Sequence, residues 1–236
     1  SASCVRSRTR MTSGGRMNRS QERLALQLFD GGAVLDKRRS PGGLGFRTLK
    51  HHEMHPDAVP SPFYLSLRLP PAGSLTAETM QSIGDELYRY AFDHKLVFDH
   101  VVGIPAAGEP IADAFGRHIE QYRPMRLGKV EEHGERHVRG IVAGIFKKGE
   151  LALVIDDLVT RAGSKLEGAR ELSAHGLVVQ DILVLIDREQ GGADEVRRAG
   201  YLLHSVFSIT ELIGLYESTG RMPREMCEEI RRYLFG

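Results

Sequence analysis

Apolar positions along the chain change their period part-way. In the first part they recur at helical spacing in two stretches. These are "ERLALQLF", Glu22 to Phe29, and "SLTAETMQSIGDELYRYAFDHKL", where Met80, Ile83, Leu87, Tyr90 and Ala91 share one face. Between them, "FYLSLRL", Phe63 to Leu69, alternates apolar and polar residues and predicts a strand. The segment "GGAVLDKRRSPGGLGFRTLKHHEMHPDAVPSP" is broken by Gly and Pro, which predicts loops and short strands.

From about Asp99 onward, short apolar runs alternate with helical patterns. The runs are "DHVVGIP", "LALVI", "DILVLID" and "YLLHSVFS". The helices between them are "EPIADAFGRHIEQY", "SKLEGARELSAHG" ending at Gly176, and "GADEVRRAG" stopped by Gly200. Ser208 and Glu211 have the spacing of a capping box opening "ITELIGLYES". "PREMCEEIRRYLF" makes the last helix, with Pro223 near its first turn. Strands that are apolar throughout belong to a sheet covered on both faces. The pattern therefore predicts a Rossmann-like parallel α/β sheet flanked by helices, whose ligands sit at the carboxyl ends of the strands.

Composition narrows this only a little. A chain of 236 residues suits one large domain, here expected over residues 21–236, with residues 1–20 as a disordered tail. The tail is rich in Ser, Arg and Gly and has no hydrophobic core segment, so it is not a secretory signal. An upstream start (Met11 and Met17 both follow it) or a cloning scar fits better than a transit peptide. A formal net charge of +1 gives no global polycation for nucleic acid. Two cysteines, Cys4 and Cys227, make no disulfide framework and favour a reducing, cytoplasmic setting. No apolar run approaches the roughly 18 residues of a membrane span.

The chemistry is concentrated in three loops expected after strands: "GIPAAGEP", "DDLVTRAGSK" and "DREQGG". In the second, Asp156 and Asp157 follow the apolar run, and Thr160, Arg161, Ala162, Gly163 and Ser164 lead into a helix. Small residues let backbone amides approach an anion, and a helix N-terminus favours negative charge. Two carboxylates beside a phosphate would repel it unless they face ribose hydroxyls or a Mg²⁺ ion. The bland alternative is a turn with a solvated acidic pair. The glycine spacing is not that of a P-loop, and no GxGxxG is present.

"VIDDLVTRAGS" resembles the phosphoribosyl pyrophosphate (PRPP) motif of type I phosphoribosyltransferases. "DILVLIDREQGG", "GYLLHSVFSITEL", "SPFYLSLR" and "VVGIPAAGEPIA" are similar to segments of the orotate phosphoribosyltransferase family, in that family's order. The resemblance implies the type I fold, with a small N-terminal hood over about 21–75 and a core over about 76–236. It implies Mg²⁺-dependent transfer of phosphoribosyl from PRPP to orotate, a step of pyrimidine biosynthesis. Asp156 and Asp157 would hold the ribose hydroxyls and, directly or not, the metal. Thr160 through Ser164 would cradle the 5'-phosphate, with Thr160 also near the base, and Ala106 and Ala107 would present backbone to pyrophosphate. Tyr64 and Leu65 would lie along the pyrimidine, and Arg188 would pair with orotate. Family members are homodimers whose mobile loop reaches into the neighbour's site, and "MRLGKVEEHGERHVRG", Met125 to Gly140, stands where that loop belongs.

This loop departs from the family pattern Arg-Lys-Glu-x-Lys-x-His-Gly. Glu131 stands where the catalytic lysine would be, and Leu127 and Gly128 replace Arg and Lys. Arg126, Lys129 and His133 are the expected catalytic residues of the loop, with Arg136 and Arg139 as further candidate cations. The family's hood lysine has no match, and Ala162 replaces a glycine. Two other readings stay open: transfer to a different base, and a non-catalytic protein that senses PRPP or a nucleotide. "HHEMH", with His51, His52, Glu53 and His55, is read as a polar surface loop in preference to a zinc site. An Asp187–Arg188 ion pair is the bland alternative for Arg188.

Overall fold

The computed structural model describes residues 17–47, 57–132 and 135–236. Helix α1 (Arg19–Asp30) starts inside the stretch expected to be a tail. Asn18 caps it: its side chain accepts from the Ser20 and Gln21 amides, and Gln21 answers to the Asn18 amide. Strand β1 (Val34–Asp36) pairs antiparallel with β2 (Phe63–Leu65). The strand expected over Phe63 to Leu69 thus ends early. The Ser66 amide still bonds the Ala33 carbonyl in register, but Pro70 and Pro71 have no amide hydrogen to extend a ladder. Thr76 then caps α2 (Ala77–Asp93).

The second half alternates as expected: β3 (His100–Gly103), α3 (Gly108–Gly116), β4 (Met125–Glu132), β5 (Glu135–Ala143), β6 (Leu151–Val159), α4 (Gly163–Ala174), β7 (Val178–Asp187), α5 (Gly192–Arg198), β8 (Leu202–Ser208), α6 (Ile209–Ser218) and α7 (Arg224–Phe235). The six-stranded sheet has the order β5-β4-β3-β6-β7-β8, parallel except for β5 at its edge. Gly176 and Gly200 take positive φ just past their helices, and the Ser208–Glu211 capping box forms.

Three expectations need correction. The segment from Met125 to Gly140, read as a mobile loop, forms two antiparallel strands. Its charged residues hide an apolar frame: Met125, Leu127 and Val138 are buried, and β4 adds in parallel to β3 through Met125. Strand β6 does not stop before the acids but runs through them to Val159, because β7 is long enough to pair with it as far as Asp187. Helix α3 stops at Gly116 instead of continuing to Tyr122. A Cβ on Gly116 would lie 2.4 Å from the Tyr122 ring, so the chain folds that ring against the helix end.

Adjacent strand residues feed opposite cores. Val101, Leu153, Ile155 and Leu183 join α1, α2, α3, α6 and α7, while Val102, Val154, Ile182 and Val184 face α4 and α5. The small β1–β2 sheet belongs to the first core, since Val34, Phe63 and Leu65 pack within it. Among the described residues no helix is long and apolar enough to cross a membrane.

Candidate active site

The sheet's carboxyl edge and the β1–β2 segment enclose a cleft of about 420 Å³. Its floor is the end of β6. Its walls are the β3–α3 turn, the start of α4, Arg188 after β7, and Tyr64 to Arg68. Close backbone approach makes this possible. A Cβ on Gly108 would sit 2.4 Å from the Ile155 carbonyl and 3.2 Å from Asp156, so glycine lets the β3–α3 turn lie against β6. Ala106 is exposed there and Ala107 is nearly buried.

Asp156 is buried, and Lys165 from the first turn of α4 closes an ion pair with it at 2.5 Å, both side chains about 6% exposed. The other Asp156 oxygen accepts from the Asp157 amide at 2.9 Å. Asp157 is half-buried, and its carboxylate accepts from the Leu158 amide. Burial, and then the negative charge of Asp156, push the Asp157 carboxyl up to about 7, against the pull of Lys165.

Across the cleft stands Arg188, 5% exposed. Its guanidinium lies 4.7 Å over the Phe63 ring, and its Nε has no hydrogen-bond partner among the described residues. It makes no ion pair among the described residues, with Asp187 or otherwise, and burial lowers its pKa. A cation held this way, at a cleft wall, suits a planar anion that brings its own hydrogen-bond acceptors. The loop carrying it is shaped locally. Glu189 takes a positive φ of 56°, donates its amide to Asp187 and receives the Thr210 amide, and Gly191 turns at φ 94° into α5.

Tyr64, Leu65, Ala106, Ala107, Asp156, Asp157, Thr160, Ser164 and Arg188 all line this cleft. Arg161, Ala162 and Gly163 do not. Arg161 reaches outward to Glu195, and the Ala162 amide donates to the same carboxylate at 2.8 Å. Arg126 and Lys129 do not line it either. Arg126 is held by Asp113 on α3 at 2.6 Å, and Lys129 is exposed on β4. Arg139 pairs with Glu132. His133, the Arg136 side chain and the HHEMH cluster lie outside the described residues. Sequence reasoning missed Lys165 and Arg68 as cleft cations and Phe63 as the base beneath Arg188. Lys165 carried a signal, being a lysine one residue past the small-residue bend, where a helix N-terminus disfavours positive charge.

No family model matches the chain. The orotate phosphoribosyltransferase of Pyrobaculum aerophilum is 32% identical over 160 residues, which cover 65% of this chain and 76% of that protein. The chain belongs to the orotate phosphoribosyltransferase family. Bovine uridine 5'-monophosphate synthase is 29% identical over 175 residues, covering 74% of this chain. The chain spans only 35% of that relative's length. Among solved structures, the UMP synthase of Leishmania donovani matches with a TM-score of 0.69 and 26% identity, over 91% of this chain and 42% of that one. The fold is accordingly the type I phosphoribosyltransferase fold of this family, a mixed sheet flanked by helices.

Proposed function

We propose that the cleft transfers the phosphoribosyl group of PRPP to orotate, giving orotidine 5'-monophosphate and pyrophosphate. The observation that carries this reading is Arg188: a buried cation without a carboxylate partner among the described residues, facing the same cleft as the acid pair. Orotate has a planar carboxylate that a guanidinium can grip through two parallel hydrogen bonds. Tyr64 and Leu65 flank the space that a pyrimidine would fill, and the relatives named above support the same substrates.

Asp156 and Asp157 accept hydrogen bonds from the ribose hydroxyls. Thr160, Ser164 and the amides opening α4 hold the 5'-phosphate, and the backbone of Ala106 and Ala107 faces the pyrophosphate. Holding the nitrogen nucleophile in line with the anomeric carbon is the main service these groups render. Among the described residues no cluster of three metal-ligating side chains exists. Mg²⁺ is commonly held by one or two carboxylates together with substrate phosphates, so Asp157, with Asp156 beside it, fits a metal that arrives on the diphosphate. When bound, the metal neutralises charge on the departing pyrophosphate.

The protein acts as a homodimer in this reading, with the β4–β5 hairpin reaching the partner's cleft. Lys129 is the cation it brings, since Arg126 is tied to Asp113. The test is pyrophosphate release with orotate, uracil, hypoxanthine, guanine and adenine as acceptors. Turnover with orotate alone is expected. Turnover with a purine and none with orotate overturns the choice of base. One observation favours a second reading, a non-catalytic PRPP binder: among the described residues no hairpin cation lines the chain's own cleft. PRPP binding in calorimetry without turnover of any base supports that reading instead.

A further inference from the structure

Lys165 is placed at a cost. It sits in the first turn of α4, where the helix dipole disfavours a cation, and it is 5% exposed. A buried ion pair seldom stabilises a fold better than apolar residues of similar volume. The pair must also order a long side chain. Nothing in the packing of α4 requires a lysine here, since Leu166, Ala169 and Leu172 supply its apolar contacts. What the lysine does achieve is local: its ammonium meets Asp156 at 2.5 Å on the cleft floor, and both residues line the cleft.

We propose that Lys165 is a positioning residue that does for Asp156 what a divalent cation would otherwise do. It neutralises the carboxylate and fixes it facing the cleft, so that a ribose-phosphate ester binds without metal. The proposal rests on the phosphoribosyl reading of the site and adds to it. Metal then serves the transfer step and not the binding step. Lys165 also belongs to the first turn of α4, whose N-terminus already favours an anion where the 5'-phosphate would lie. Arg68, which also lines the cleft, supplies a further positive charge.

The test is titration calorimetry of the full chain with PRPP, in EDTA and in excess MgCl₂, with no acceptor base present. For the wild type, affinity in EDTA is expected within about tenfold of that in Mg²⁺. Lys165→Met is expected to lose about tenfold or more in EDTA and less than about threefold in Mg²⁺, because the metal restores the missing positive charge. A purely structural role for Lys165 would weaken both conditions alike, and that outcome overturns the proposal. So does a wild type that binds well in Mg²⁺ and more than tenfold worse in EDTA. Lys165→Met leaves Asp156 buried without a counter-charge and can fail to fold; the wild-type comparison then decides alone. Absence of binding in either condition removes the phosphoribosyl reading itself, and this inference with it.

Discussion

The Arg188 guanidinium lies 4.7 Å above the Phe63 ring centroid, so a cation–π contact joins the loop after β7 to the small β1–β2 sheet. This fixes the guanidinium plane while its Nε stays unpartnered. Truncating one partner of a buried charged hydrogen-bond pair costs roughly 2–5 kcal/mol, so Arg188→Met should lower kcat/KM for orotate by about 30-fold or more. PRPP affinity should not change. The ligand-free melting temperature should stay level or rise, because an uncompensated buried cation has been removed. Steady-state kinetics and a thermal melt check both. Unchanged orotate kinetics would remove Arg188 from base recognition.

Asp157 gives the ligand-free protein a definite pH dependence. Its carboxyl is pushed up to about 7 in the fold, while in the unfolded chain it titrates near the ordinary aspartate value of 3.8. Between these values the folded state binds the extra proton, so this group's contribution to stability falls as pH rises from about 4 to about 7. Asp30, Asp85 and Glu195 shift the other way, so their contributions are lost only as pH falls below the ordinary carboxylate range. The Asp157→Asn variant, melted in EDTA across pH 4.5 to 7.5, should therefore show a smaller decline than wild type toward neutral pH. Parallel curves for the two proteins would contradict the assignment.

Gly108 sets the distance between the β3–α3 turn and the acid pair. Gly108→Ala puts a methyl group 2.4 Å from the Ile155 carbonyl, a backbone atom that cannot step aside. A loss of about 1–3 kcal/mol in unfolding free energy is expected from overpacking of this kind. Denaturant titration reads it. The displaced turn should also weaken pyrophosphate binding, so product inhibition by pyrophosphate is the companion measurement.

The hairpin cations can be told apart. Arg126 is half-buried and bonded through Nη2 to both carboxylate oxygens of Asp113, at 2.6 and 2.8 Å, whereas Lys129 is exposed on β4. Lys129→Ala is expected to lower kcat by about 10²-fold or more, the range seen when one transition-state donor is lost. Arg126→Ala should leave kcat within about twofold and cost roughly 0.5–1 kcal/mol of stability, as for a partly screened pair. The reverse pattern would assign the cation to Arg126 and require the Asp113 pair to open during turnover.

Much of the fold could be read from local pattern. The strands β3, β6, β7 and β8 and the helices between them announce themselves because apolar runs and helical spacing are properties of neighbouring residues. The acid pair and the small-residue bend stand in one local window as well, whereas Arg188 was singled out by the resemblance to the family. The β4–β5 hairpin was not legible locally. Its strands carry Arg126, Lys129, Glu131, Glu132, Arg136 and Arg139, and only pairing with β3 and packing under α4 reveal why they are strands. The Val138 and Gly140 amides donate to Glu167 and Glu171 of α4, contacts that no local window contains.

The sequence by itself determined which residue types stand at each strand end, and so the sugar-phosphate chemistry proposed for them. Tertiary structure alone decided which charges are satisfied. Asp113 takes Arg126, Glu195 takes Arg161 and the Ala162 amide, and Asp156 takes Lys165, while Arg188 keeps its charge for the cleft. The physical reason is range. Backbone conformation follows from near neighbours along the chain, but the energy of a charge depends on burial and on partners within a few ångströms, and folding brings those partners from distant segments.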